Sequence, residues 1–149
     1  MASLFLNLAV AATGLYAGFM LTFLVAIMPG LGALSDEGFT SAMRRFNEKV
    51  PGPVFLVLFL GVIALPAVAA FTEYGEDGWP LVVAALVCTV VSHLVTIAGN
   101  IPLNQALADS EGGDDSAART AFEARWNALH RVRTVLSLAA FVLLAAVDV

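Results

Sequence analysis

The chain has 149 residues, 60% hydrophobic and 13% charged, with a mean hydropathy of +0.88, whereas soluble domains run at about 45–50% apolar and about 25% charged. Too few polar residues are present to cover a water-facing surface, so the solvent for most of this chain is lipid. A net charge of −5 excludes the broad positive field that nucleic-acid binding needs, and the lone Cys88 excludes an intrachain disulfide.

The first uncharged run, Ser3 to Met28, exceeds the roughly 20 residues that cross a bilayer core and predicts a membrane helix over 3–28. It lacks a basic n-region and is followed by more apolar sequence, so it does not read as a cleaved secretory signal. Ser35 is placed to cap a short helix over 36–49: Asp36 and Glu37 suit its first turn, and Phe39, Met43, Phe46 and Val50 recur at helical spacing. That pattern predicts an interfacial helix with its apolar stripe on the bundle and its Arg/Lys face wet. Uncharged runs at 53–71 and 79–99, bounded by Gly, Pro or acidic residues, give the second and third membrane helices. Asp109, Glu111, Gly112, Gly113, Asp114 and Asp115 then read as a solvated, mobile linker.

The last uncharged run, Thr134 to Val147, covers only about 21 Å at ~1.5 Å per residue. The fourth helix must therefore begin earlier, near 120, and it carries Arg133 and His130 to or inside the membrane boundary. The expected fold is all-α: a single membrane domain over 1–149, built as an integral membrane four-helix bundle (3–28, 53–71, 79–99, 120–147) with a short interfacial helix between helices 1 and 2. Arg44, Arg45 and Lys49 lie in the first connection, and Arg119, Arg125, Arg131 and Arg133 lie in the third or at the start of the last helix. The termini and the Glu73–Asp77 loop have no Lys or Arg. The positive-inside rule then puts both termini outside and the longer loops in the cytoplasm, with the chain integral to the plasma (inner) membrane.

No phosphate-cradling glycine loop, CxxC pair, HExxH or serine-nucleophile elbow is present. Gly14 and Gly18 form a GxxxG, a device that brings helix backbones together. The polar residues of helices 3 and 4 are more informative. His93, Asn100 and Asn104 share one stripe if the helix continues past Gly99 and Pro102 does not break it, and Glu123, Trp126, His130 and Arg133 share another. Helix 3 runs inward and helix 4 outward, so both stripes meet at the cytoplasmic end. Singly, each residue has a structural explanation: the asparagines cap a helix or bond across helices, Arg133 pairs with Glu123 or a lipid phosphate, and Trp126 is an interfacial anchor. Together they point to a polar cavity.

The segments Met28-Pro29-Gly30-Leu31 with Met43 and Asn47, Gly99-Asn100-Ile101-Pro102-Leu103-Asn104, and Trp126 with Leu129-His130 and Arg133-Thr134 resemble the anthrone-oxygenase-like family of small four-helix membrane proteins. The likeness spans nearly the whole chain, and its most specific part is the Asn-x-Pro-Leu-Asn segment followed by the Trp-x3-His-x2-Arg helix. It implies oxidation of an anthrone to an anthraquinone with dioxygen as co-substrate and no resident cofactor. Such chemistry asks for a base near neutrality, for which His130 is the first choice and His93 the second. It asks for donors to a developing oxyanion, for which Arg133, Asn100 and Asn104 are the right types. It also asks for an apolar pocket, for which Trp126 and Phe46 serve, with Asn47 closing the cavity from the interfacial helix and His93 and Glu123 among its substrate-binding residues. The expected partners are a lipophilic aromatic small molecule, the bilayer and a second copy in a homo-oligomer.

Two other classes stand beside this one. His93 and His130, with Glu123 as a third ligand, could hold a metal or a haem between adjacent helices. A non-enzymatic bundle that binds a lipophilic ligand or serves as an assembly subunit would use the same stripes as interhelical glue. A channel fits poorly, because Asn7, Thr13, Tyr16 and Thr22 are too sparse to line a pore.

Overall fold

A computed structural model describes residues 4–147. Four helical columns are long and apolar enough to cross a membrane: Leu4–Gly32, Pro53–Thr72, Trp79–Asp109 and Asp115–Ala145. Their elements are α1 (Leu4–Thr22), a π-turn (Phe23–Ile27), α2 (Met28–Gly32), α3 (Asp36–Lys49), α4 (Pro53–Thr72), α5 (Trp79–Val95), a second π-turn (Thr96–Asn100), α6 (Ile101–Asp109) and α7 (Asp115–Ala145). The four-helix membrane bundle with an interfacial helix is thus the observed fold, and α3 has the bounds that its cap and spacing predicted. The Ser35 hydroxyl accepts from the Gly38 amide at 3.2 Å and fixes the start of α3. Ser3, where the first helix was expected to begin, lies outside the described residues.

Three boundaries differ from expectation by more than two residues, each for a local reason. The first column runs on to Gly32 and the third to Asp109, because the prolines that should end them, Pro29 and Pro102, are each preceded by a π-turn. Proline has no N–H to give and its ring crowds the carbonyl four residues back; widening the helix by one residue relieves both problems without stopping it. The fourth column starts at Asp115, since the Asp114 carboxylate accepts from the Ser116 and Ala117 amides at 2.9 and 3.2 Å and caps it. The expected linker is therefore a tight turn over 110–114, with Gly112 at φ +83°. Arg119 and Arg125 stand on α7.

In the bundle, α1 packs on α4 and α7, and α5 packs on α4 and α7, so the columns form a square. Gly14 allows a close approach of α1 to α7, because a Cβ there would meet the Phe141 ring at 2.9 Å, while Gly18 faces open space. One half of the GxxxG makes a helix contact. The end far from α3 is filled by Leu6, Ala9, Ala69, Val82, Ala85, Ala140 and Leu144. The outward faces are apolar: Leu15, Val54 and Phe71 are exposed, as lipid-facing residues are.

The interfacial helix α3 packs on α2, α6 and α7. Phe39 and Met43 are buried in it as expected, but so is Arg44, which the wet-face pattern placed outside. Arg44 donates to the Leu107 carbonyl at 3.0 Å, Asp115 at 3.2 Å and the Ser110 hydroxyl at 3.0 Å, pinning α3 to the α6–α7 turn. Its neighbour Arg45 stays exposed against Glu48 and Glu111. By contrast, α4 has no helix-length contact with α3 or α6, and a gap remains there.

Candidate functional site: an aromatic cavity with one buried guanidinium

The gap leads into a cavity of about 170 Å³ beneath α3. Its walls come from every column. Phe19, Phe23, Phe46, Phe55, Phe59 and Trp126 give it an aromatic lining, and Arg133, Asn104, Asn47 and Thr96 are its polar groups. Leu56 and Ile101, 46% and 50% exposed, form its rim on the outer face of the bundle, with Val50 and Pro51 above them.

Arg133 is 8% exposed. Its Nε donates to His130 Nδ1 at 3.0 Å and its Nη1 to the Thr96 hydroxyl at 3.4 Å, and its guanidinium carbon lies 5.1 Å from the Trp126 ring centroid. No carboxylate pairs with it among the described residues. Burial of a cation without an anion is costly in a low dielectric, and the imidazole lone pair, the hydroxyl and the indole face offset only part of that cost. The backbone around it is held firmly: Ser137 and Ser92 both donate to the Arg133 carbonyl, at 2.7 and 3.2 Å.

His130 does not line the cavity. It lies behind Trp126 and Arg133, fully buried, with its ring stacked on Trp126 at 4.8 Å. Because Arg133 Nε–H can only donate, His130 Nδ1 is the acceptor and Nε2 carries the proton, which it gives to the Met20 carbonyl at 3.0 Å. Trp126 donates its indole N–H to Asn104 Oδ1 at 2.9 Å, and this fixes the Asn104 amide with its Nδ2 left to donate. Asn100 is buried beside it, with Nδ2 3.4 Å from the Trp126 carbonyl and Oδ1 without a partner. Asn47 Nδ2 is likewise buried without a hydrogen-bond partner, and the Tyr16 hydroxyl is buried facing Thr96 and Arg133. Asn47 lines the cavity, whereas Asn100 and Tyr16 lie behind its wall.

The remaining expected residues lie elsewhere. His93 sits outside the cavity wall between Phe59 and Tyr16, its Nδ1 2.8 Å from the Thr89 carbonyl and its Nε2 2.7 Å from the Phe59 carbonyl. The intervening π-turn explains why it parts from the asparagines, since one inserted residue rotates the downstream side chains by roughly 100° about the axis. Thus His93 faces α4 and α1, while Asn100 and Asn104 face α7. Glu123 pairs with Arg119 at 2.7 Å, in a surface depression that Asp36 and Asn127 share, and does not reach Arg133. Among the described residues no group of three or more His, Cys, Asp or Glu converges as metal ligands would, so His93, His130 and Glu123 are not brought together.

Thr96, Tyr16 and the Met20 carbonyl join the site without having been expected there. Thr89, Ser92 and Thr96 recur at helical spacing in an otherwise apolar run, and that was the signal available for the first. A backbone carbonyl has no signal in a sequence.

Neither the curated proteins nor the solved structures contain a match to this chain. The anthrone oxygenase family model matches it over residues 39–143, from α3 into the last turns of α7. The matched span holds the Arg133, Asn104 and Asn47 side of the cavity, with only the α1 wall outside it, and the chain belongs to the anthrone oxygenase family.

Proposed function

We propose that this protein is a membrane-embedded oxygenase that oxidises a lipophilic, anthrone-type aromatic with dioxygen, and that Arg133 holds the oxyanion formed from the substrate. The observation that carries this reading is a buried guanidinium, without a carboxylate partner, opening onto an aromatic-lined cavity. An anthrone enolate supplies the missing negative charge and a flat ring system to fill the aromatic walls. Asn104 Nδ2 and Asn47 Nδ2 are further donors for oxygen substituents on the ring frame. The basic end of the bundle faces the cytoplasm, so the cavity opens in the inner leaflet.

The chemistry balances without a further redox partner. Loss of a proton from the anthrone methylene gives the enolate, which passes one electron to dioxygen; carbon and superoxide then combine as a peroxide anion. Protonation gives the hydroperoxide, which expels water to leave the second ring ketone. One anthrone and one dioxygen become one anthraquinone and one water. Arg133 lowers the barrier to the first step by stabilising charge on the enolate oxygen, an effect that costs about 10²–10³-fold in rate when one such donor is removed.

Dioxygen uptake by the detergent-purified protein with a simple anthrone tests this directly. Uptake should be saturable and should fall by about 100-fold or more in Arg133→Met with helicity unchanged. Equal uptake by the two proteins would sink the proposal; saturable binding without uptake would leave a ligand-binding bundle.

A further inference from the structure

The cavity holds a cation but no base. Of its lining residues none is Asp, Glu, Lys or His. Groups that face Arg133 from the surrounding elements are few: Tyr16 from α1, Thr96 from the second π-turn, and His130 and Trp126 from α7, with the Met20 carbonyl of α1 behind His130. From α3 comes the neutral Asn47, from α6 the neutral Asn104, and from α4 only apolar and aromatic side chains. Arg44 is turned away to Asp115, and the two ring nitrogens of His93 lie against the Thr89 and Phe59 carbonyls, away from the cavity lining. The histidine beside Arg133 has its one lone pair occupied by the guanidinium and its one N–H given to a backbone carbonyl, so it has no free nitrogen to receive a substrate proton.

We propose that His130 is a positioning residue and not the base: it holds the Arg133 guanidinium toward the cavity, and the unpaired charge of Arg133 ionises an acidic phenol or enol as it binds. The proton leaves through the interfacial mouth at Val50 and Pro51 to water. The inference rests on the oxyanion role proposed for Arg133 and sharpens its substrate class to compounds whose own O–H or activated C–H is acidic enough to ionise against one guanidinium. It also separates two roles that the residue types alone merge, since a histidine three residues from an arginine on a helix looks like a base with its electrostatic partner.

A hydroxyanthraquinone indicator, whose phenol and phenolate forms differ in colour, tests this without turnover. The dye is titrated with pH in protein-free micelles, with wild-type protein, and with Arg133→Met, His130→Asn and His130→Leu. An opposite charge at close range lowers an acid's pKa by about 1–3 units, so dye bound to the wild-type protein should ionise at least about one unit below dye in empty micelles. The shift should vanish in Arg133→Met. It should persist in His130→Asn, whose amide oxygen can take the place of Nδ1 as acceptor but has no basic nitrogen, and shrink in His130→Leu.

Equal loss in the asparagine and leucine variants, with helicity intact in both, would overturn the positioning role. Saturable binding by the wild-type protein with no shift would overturn the ionisation while leaving the cavity as a ligand site. Absence of saturable binding would remove the oxyanion reading along with it. A series of dyes of graded acidity on the wild-type protein gives a check that needs no variant: the midpoint should move with each dye, and a midpoint that stays fixed would assign the titration to the protein.

Discussion

Two arginines, Arg44 and Arg133, are equally buried, at 7% and 8% exposure, and do opposite things. Arg44 has an ion pair and two further acceptors, one each from Asp115, Ser110 and the Leu107 carbonyl, and its charge is spent on holding the interfacial helix to the α6–α7 turn. Arg133 has a lone pair, a hydroxyl at long range and an aromatic face, and its charge is left over. Burial alone therefore says little about role. What separates a structural cation from a functional one is whether the protein has supplied its anion.

Substitutions can break this contrast, and the largest effect is expected at Arg133. Arg133→Met should reduce anthrone-dependent oxygen uptake by about 10²–10³-fold while leaving the thermal midpoint in detergent unchanged or raised, because a buried, incompletely compensated charge has been removed. Arg44→Met should do the reverse. Loss of its hydrogen bonds removes the Asp115 ion pair and leaves the Leu107 carbonyl with the Ser110 hydroxyl as its remaining side-chain donor, at a cost of about 1–3 kcal/mol in stability, read as an earlier unfolding midpoint, with uptake per folded protein kept. If Arg44→Met lost activity while remaining folded, the division between the two arginines would be wrong.

Smaller effects sharpen the picture. Trp126→Phe keeps the aromatic wall and removes only the N–H that fixes Asn104, and it should lower uptake by a few-fold, about what one neutral hydrogen bond contributes. Glu123→Gln should change uptake by less than about twofold, since the carboxylate is paired with Arg119 in a separate surface depression and does not reach Arg133. A large effect at Glu123, measured in the same uptake assay, would mean that the surface depression and the cavity communicate.

Much of this architecture is legible in the chain. Uncharged runs of spanning length mark three of the four columns, and Ser35 followed by Asp36 and Glu37 marks the interfacial helix to the residue. The residue types of the site are legible too, because Arg133, Trp126, Asn100, Asn104 and Asn47 are polar or amphipathic side chains where lipid would not tolerate them unpaired. What the chain conceals is who faces whom. Regular helical spacing groups His93 with Asn100, and a π-turn, which no local propensity announces, parts them. Periodicity puts Arg44 on a wet face, and a turn folded by Asp114 and Gly112 brings Asp115 and Ser110 over it. His130 reads as a base from its residue type, and the hydrogen bond that its Nδ1 accepts from Arg133 Nε–H, on which the positioning proposal rests, leaves no mark in the sequence.

The gap between α4 and its neighbours α3 and α6 has a consequence for how this protein meets small molecules. Leu56 and Ile101 stand at the rim about half exposed on the outer face of the bundle, so the lipophilic substrate proposed above would reach the cavity by diffusing within the leaflet, already concentrated there by partitioning of about 0.8 kcal/mol per CH₂. The relevant supply is mole fraction in the bilayer, not molarity in the buffer. An apparent affinity quoted per litre will drift as lipid or detergent is added, and the same data plotted against ligand per lipid will fall on one curve.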